Sequence, residues 1–198
     1  IIPFQVGRIK LGQRMFSNSG AASMGYDLPA AIGASLADPD RKVVCFAGDG
    51  SLQMNIQEFQ TLVALRLNII VVIINNGGYL SIRQTHENFF QKVIGADPDT
   101  GVNFPDFIKV ADAYGIPGVV LFTPKDLEGI QALFSLTGPL VIDLRVDPTQ
   151  EFSPRLRSRV DDLGVFQTPE LDDMYPFIPR EDLERLRHEA YKIESVKT

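Results

Sequence analysis

With 198 residues, 44% of them hydrophobic, the chain can bury one core of ordinary size. Its formal net charge of −6, with no basic face to offset it, excludes nonspecific nucleic-acid binding, and no apolar stretch approaches the roughly 18 residues of a membrane span. The start shows no charged region followed by an apolar core and a cleavage site, so a cytoplasmic setting is the expectation.

Ser23 to Ala37 reads as a helix with small residues on its packing face. Val43-Val44-Cys45-Phe46-Ala47 is a short apolar run ending at a glycine, which predicts a buried strand with Asp49 at its tip. The single cysteine, Cys45, falls inside that strand, predicting an inert core thiol and no internal disulfide. Ile56, Phe59, Leu62, Val63 and Leu67 recur at helical spacing, giving an amphipathic helix whose first turn follows Ser51. Ile69 to Ile74 is an unbroken β-branched run, the composition of a central parallel strand covered on both faces, and Asn75 and Asn76 stand at its C-terminal end.

Helices over Phe104 to Tyr114 and Lys125 to Leu136, with strands at Val119 to Leu121 and Leu140 to Leu144, continue the alternation. The predicted fold class is α/β, a mostly parallel sheet flanked by helices, with ligands at the strand C-terminal ends. Residues 1–146 form this α/β domain, and 147–198 read as a C-terminal extension and helix packing on it or on a partner. In the extension five prolines interrupt regular structure, and Arg155, Arg157 and Arg159 read as a solvated run. The alternative is a segment that wraps a partner domain and closes over a site. A charged helix is predicted over Pro179 to Ile193, with His188 solvated on it.

The chemistry concentrates in two short stretches, Gly48-Asp49-Gly50-Ser51 and Asn75-Asn76-Gly77-Gly78, with Asp49 and Asn76 27 positions apart. Taken singly, each is an ordinary turn composition. In this order on two strand ends they read as a split site for a divalent metal and a diphosphate. Hard cations such as Mg²⁺ accept one or two side-chain oxygens completed by phosphate and water. Gly48 and Gly50 allow close backbone approach, and amides near Ser51 favour an anion. If Leu80 to Phe90 is helical, Arg83 and His86 share a face and could meet a substrate carboxylate or carbonyl; for His86 a hydrogen bond to a neighbour is the expected use.

These residues resemble the thiamine diphosphate (ThDP) enzymes of the acetolactate synthase and 2-oxoacid decarboxylase group. The segment Ser19-Gly20-Ala21-Ala22-Ser23-Met24-Gly25-Tyr26-Asp27-Leu28-Pro29-Ala30-Ala31-Ile32-Gly33-Ala34 is similar to the helix-opening segment preceding that family's motif, and the resemblance runs from about Phe16 to Val146. It implies a diphosphate-domain fold with Mg²⁺ ligands at Asp49, Asn76 and the carbonyl of Gly78. Gly48, Gly50 and Ser51 would lie at the diphosphate. Met24 would prop the cofactor in its bent shape, with Ala22 near it and Tyr79, Leu80, Ser81 and Ile82 running alongside. Two departures leave substrate choice open: Gly78 offers only backbone, and Tyr79 to His86 differs from the usual acetolactate synthase sequence.

The implied activity is a ThDP- and Mg-dependent carboligase or decarboxylase acting on pyruvate or another small 2-oxo acid. The alternatives are a ThDP-dependent C–C lyase on a specialised sugar-pathway substrate and a noncatalytic ThDP-binding homologue. The family's activating glutamate belongs to a separate pyrimidine-binding domain, and no segment here matches it, so no catalytic residue is expected in this chain. That gap, with a start at Ile1-Ile2-Pro3, is the expectation for a C-terminal piece of a longer enzyme, a natural subunit being the alternative. The implied partners are the pyrimidine-binding domain and further copies in a homo-oligomer.

Overall fold

The computed structural model describes residues 3, 6–18, 20–150, 153–160 and 163–195. The chain divides into two compact units, one over Val6–Gln150 and the other formed mainly by the tail beyond it.

In the first unit four strands, β1 (Val43–Gly48), β2 (Ile69–Asn75), β3 (Gly118–Leu121) and β4 (Leu140–Arg145), form one parallel sheet in the order β1-β2-β4-β3. Its helices are α1 (Asp27–Ala37), α2 (Asp49–Gln53), α3 (Phe59–Ala64), α4 (Leu80–Phe89), α5 (Phe107–Ala113) and α6 (Ile130–Ser135). β2 is paired on both sides and buried almost throughout, the environment its β-branched run suits. Side chains alternate across it. Ile69, Val71 and Ile73 join Val141 in packing against Leu28, Phe59, Leu62, Phe107 and Ala111 from α1, α3 and α5. Ile70 and Val72 join Leu140 and Ile142 on the other face, against Ile130 and Leu133 of α6. The expected α/β class, a parallel sheet flanked by helices, is what the chain adopts.

Because every strand points the same way, all four C-terminal ends emerge on one side of the sheet. Gly48 pairs with Ile74, so Asp49 and the Asn75-Asn76 turn leave the sheet next to each other. No helix among the described residues is long and apolar enough to cross a membrane.

Helix boundaries depart from expectation, each for a local reason. α1 begins at Asp27 rather than Ser23 because Gly25 is left-handed, with φ of 80°, which a right-handed helix cannot include. The expected helix after Ser51 is two elements: α2 starts at Asp49 itself, directly from the strand, and a 3₁₀ turn at Ile56–Glu58 leads into α3. α5 begins at Phe107, where the Asp106 carboxylate caps the amides of Ile108 and Lys109 at 3.1 Å each. The helix expected over Lys125 to Leu136 is split, since a 3₁₀ turn at Pro124–Leu127 gives way to an extended Glu128 before α6.

The tail unit carries a small antiparallel pair, β5 (Arg159–Val160) with β6 (Phe166–Gln167), and the long helix α7 (Arg180–Ser195). Its arginines are not simply solvated. Asp173 is buried and accepts two hydrogen bonds from Arg180, at 2.7 and 2.6 Å, and another from Arg159. The Arg180 fork and the Arg159 charge hold the Asp173 carboxyl below the usual range. Arg157 and Arg159 also lie over the rings of Tyr175 and Phe177, at 4.6 and 4.5 Å. A charge run read as surface is thus a set of partners for one buried carboxylate and two aromatic faces.

Cys45 is buried in β1, where desolvation and then the nearby Asp27 charge push its thiol up to about 12. The folded chain should not react with a thiol reagent at pH 8 but should react fully once denatured. An unfolded thiol has a pKa near 9, so Cys45 contributes stability that is intact below pH 9 and lost between about pH 9 and 12. The stability gap between the natural chain and Cys45→Ala, measured by urea melts, should narrow across that window; a constant gap would contradict the buried assignment.

Candidate functional site

The site forms where β1 stops. Gly48 is the last extended residue and Asp49 the first of α2, so no loop separates strand from helix. The sharp turn leaves the Asp49 carboxylate 2% exposed. Its Oδ1 accepts the Gly50 amide at 2.7 Å, and its Oδ2 accepts the Gly78 amide at 3.0 Å, tying the two strand ends together. Burial pushes the Asp49 pKa up; the amides of Gly50, Gly78, Gly77 and Asn76 oppose that rise. Among the described residues no basic side chain pairs with it.

The turns close tightly around this carboxylate. A Cβ on Gly50 would lie 2.0 Å from the Tyr79 ring, and one on Gly78 would lie 2.2 Å from the Ala96 carbonyl oxygen. The Tyr79 amide donates to that same oxygen at 2.7 Å, and the ring meets Phe104 edge-on at 5.6 Å. Behind it, the Asp97–Thr100 capping box and an Arg83–Asp97 ion pair at 3.6 Å hold the loop against the turn.

A second network brings in the segment before α1. The Ser51 hydroxyl accepts the Gly25 amide at 2.8 Å and donates to Asp27, while Asn55 Nδ2 donates to the Gly25 carbonyl at 2.5 Å. Ser51, expected at a diphosphate, therefore has its hydroxyl committed within the protein. Ala22 and Met24 lie just upstream and exposed, Met24 by 40%.

Known proteins resemble this chain in sequence and fold. The family model described as thiamine pyrophosphate enzyme, C-terminal TPP binding domain, matches residues 4–144. The chain belongs to that family. The acetolactate synthase large subunit of Cyanidium caldarium is 39% identical over 144 residues, covering 72% of this chain and 24% of the relative. Isozyme 1 of the Escherichia coli enzyme's large subunit is 35% identical over 144 residues, covering 72% and 25%. A solved thiamine diphosphate-dependent 4-hydroxybenzoylformate decarboxylase of Rhodococcus jostii superposes with a TM-score of 0.56 at 30% identity, over 64% of this chain and 24% of that one. The chain thus spans about a quarter of the length of the curated relatives it matches.

The residues of this TPP-binding domain suit a metal diphosphate. A carboxylate buried without a cation carries an uncompensated desolvation cost, which a bound divalent metal removes. The half-buried Asn76 carboxamide has no hydrogen-bond partner among the described residues, so its oxygen is available. No group of three or more His, Cys, Asp or Glu among the described residues could hold a metal. A cation here would use one carboxylate, an amide oxygen and main chain, leaving positions for phosphate oxygens and water, a set that Mg²⁺ accepts.

The segment after the turn divides. Leu80 is buried at the start of α4, whereas Ser81 and Ile82 are exposed on its first turn. Arg83 and His86 are both engaged locally: Arg83 also donates to the Pro148 carbonyl, and His86 Nδ1 accepts the Ile94 amide at 3.3 Å. Sequence reasoning gave no role to Asn55, which holds Gly25 directly, to Asp27, which holds it through Ser51, or to Asp143, and it missed the 2.9 Å bond between Asn75 and Asp143. Asp143 left a signal, as a charged residue directly after the apolar run Leu140-Val141-Ile142.

The contact of Gly50 with Tyr79 makes a cycle measurable. Gly50→Ala should destabilise the fold by about 1–3 kcal/mol through overpacking. In Gly50→Ala/Tyr79→Ala the ring is gone, so the two losses should fall well short of additive in urea melts. Strict additivity would place the ring elsewhere.

Proposed function

We propose that this domain supplies the metal- and diphosphate-holding half of a ThDP- and Mg-dependent carboligase or decarboxylase acting on a small 2-oxo acid. The observation that carries the reading is the buried Asp49 carboxylate, held by amides from two strand ends and paired with no basic side chain among the described residues. ThDP supplies an electron sink for the carbon left when a 2-oxo acid loses CO₂. The chain's own part is to bind and orient. Asp49, Asn76 and the Gly78 carbonyl hold the metal, and Gly48 and Gly50 let the backbone approach the diphosphate. Met24, Ala22 and the exposed start of α4, Ser81 with Ile82, offer contacts to the rest of the cofactor.

The activating glutamate comes from a pyrimidine-binding domain, on the same polypeptide or another subunit, and the working unit is a homo-oligomer. Relatives that are acetolactate synthase large subunits favour carboligation. The 4-hydroxybenzoylformate decarboxylase among the structural neighbours favours simple decarboxylation of an aromatic 2-oxo acid as the second reading. Analysis of the products from pyruvate and from an aryl 2-oxo acid separates them: an acyloin-type adduct marks the first, an aldehyde the second.

Asp49→Ala in the complete protein should abolish Mg-dependent ThDP binding while the fold survives, as read by calorimetry and circular dichroism. Undiminished affinity would remove the metal assignment. Met24→Ala should act by shape. It should lower kcat by about ten- to a hundred-fold, since misplaced reactants cost that much, with ThDP affinity changed far less. An equal fall in both quantities, or in neither, would show that Met24 does not support the cofactor's shape.

A further inference from the structure

Asp143 is fully buried in β4, following Leu140, Val141 and Ile142 along a strand that is otherwise apolar at these positions. A carboxylate at such a position costs the fold its desolvation unless it is paired and hydrogen-bonded, so packing alone does not account for it. Its place in the strand points to another task.

The neighbours define one. Asp143 lies opposite Ile73 in the β2–β4 register, and Asn75 stands two residues further along β2 on the same face. Asn75 Nδ2 donates to Asp143 Oδ1 at 2.9 Å, and Asn75 Oδ1 accepts the Gly77 amide at 3.3 Å. An ionised carboxylate only accepts, so Asp143 dictates which way the Asn75 amide faces, leaving its oxygen for Gly77. The Val146 amide donates to the Asn75 carbonyl at 3.0 Å and pins the main chain as well. Arg145 Nη2 lies 2.7 Å from Asp143 Oδ2, close enough to balance the charge though not aligned as a hydrogen bond.

We propose that Asp143 and Asn75 are a positioning pair that sets the Asn76-Gly77-Gly78 turn for the metal, Asn75 passing the orientation of the buried carboxylate to the Gly77 amide. The proposal rests on the metal reading of Asp49 above. Neither residue touches the metal; both act through the turn. Hydrogen-bond partners of this kind, one step removed from the ligands, change metal affinity by about 10–100-fold when altered.

The test uses the complete protein. Asn75→Asp sets two carboxylates face to face, whereas the exchange Asn75→Asp/Asp143→Asn restores the bond with its polarity reversed. In the exchanged pair one Asp oxygen still accepts from Gly77, and the new Asn oxygen faces Arg145. Three quantities are read: the Mg²⁺ concentration for half-maximal ThDP binding by calorimetry, amide hydrogen exchange at Gly77 without metal or cofactor, and the melting temperature.

Asn75→Asp should raise the half-saturating Mg²⁺ by about 10–100-fold and speed Gly77 exchange, and the exchanged pair should recover both. Should Asn75→Asp fail to fold, Asp143→Leu, which removes the acceptor without adding a charge, makes the same comparison. A lowered melting temperature with natural Mg²⁺ dependence and natural Gly77 exchange would overturn the proposal and leave a merely structural pair. So would an exchanged pair that folds but recovers neither quantity. Asp49→Ala separates the two failures: if it loses binding while the pair variants keep it, positioning alone is wrong, and if it keeps binding, the metal reading falls and this proposal with it.

Discussion

A carboxylate shut beneath a strand-to-helix turn is the constraint on which the C-terminal edge of the first unit's sheet depends. Stripping water from an ionised carboxyl costs several kcal/mol, and a hydrogen bond to a charged group returns about 1.5–3 kcal/mol. The amides around Asp49 therefore offset much of that cost, and no basic side chain among the described residues meets the rest of the demand. That demand fixes neighbouring choices. Gly50 is bare because a tyrosine ring lies against it, and Gly78 is bare because the Ala96 carbonyl does. The parallel pairing of β1 with β2 does the rest by delivering both turns to one place.

Around that centre the supporting contacts run outward in two directions. One goes through Ser51 to Asp27 and Gly25, so the segment bearing Met24 is anchored to the same short helix that opens with Asp49. The other goes through Asn75 to Asp143 on the neighbouring strand. Both use polar side chains buried or half-buried at the strand ends, where a helical covering layer would otherwise place apolar groups. The central strand has no such groups before Asn75: β2 from Ile69 to Ile73 is uniformly buried and apolar, and supplies rigidity rather than chemistry.

What the sequence made legible follows from what each feature depends on. Strands β1, β2 and β4 could be read because their signal is local, a run of apolar and β-branched residues bounded by turn formers. That Asp49 and Asn76 leave neighbouring strand ends was legible because order along the chain, strand end after strand end, is itself the signal. Helix starts were less so, since a left-handed Gly25, a capping Asp106 and an extended Glu128 are single-residue events inside helical compositions. The Tyr79 ring over Gly50 and the Asn75–Asp143 bond were not legible at all, because each joins residues whose meeting is decided by the sheet. The arginines of the tail were misjudged for the same reason: Asp173, Tyr175 and Phe177 are their partners, and nothing in the spacing of Arg155, Arg157 and Arg159 announces them.

The bond from Gly78 to Asp49 comes from the main chain, and that has a consequence for how such a site can drift over generations. A side-chain donor vanishes with one substitution, whereas a peptide N–H persists under every replacement except proline. What the position cannot tolerate is bulk, because the Ala96 carbonyl occupies the space a methyl group would need. Residues beyond it, from Ser81 along the exposed side of α4, carry neither restriction. Variation is thereby steered away from the atoms that hold Asp49 and toward the exposed first turn of the helix that follows, where it can change the surface without undoing what holds the turn together.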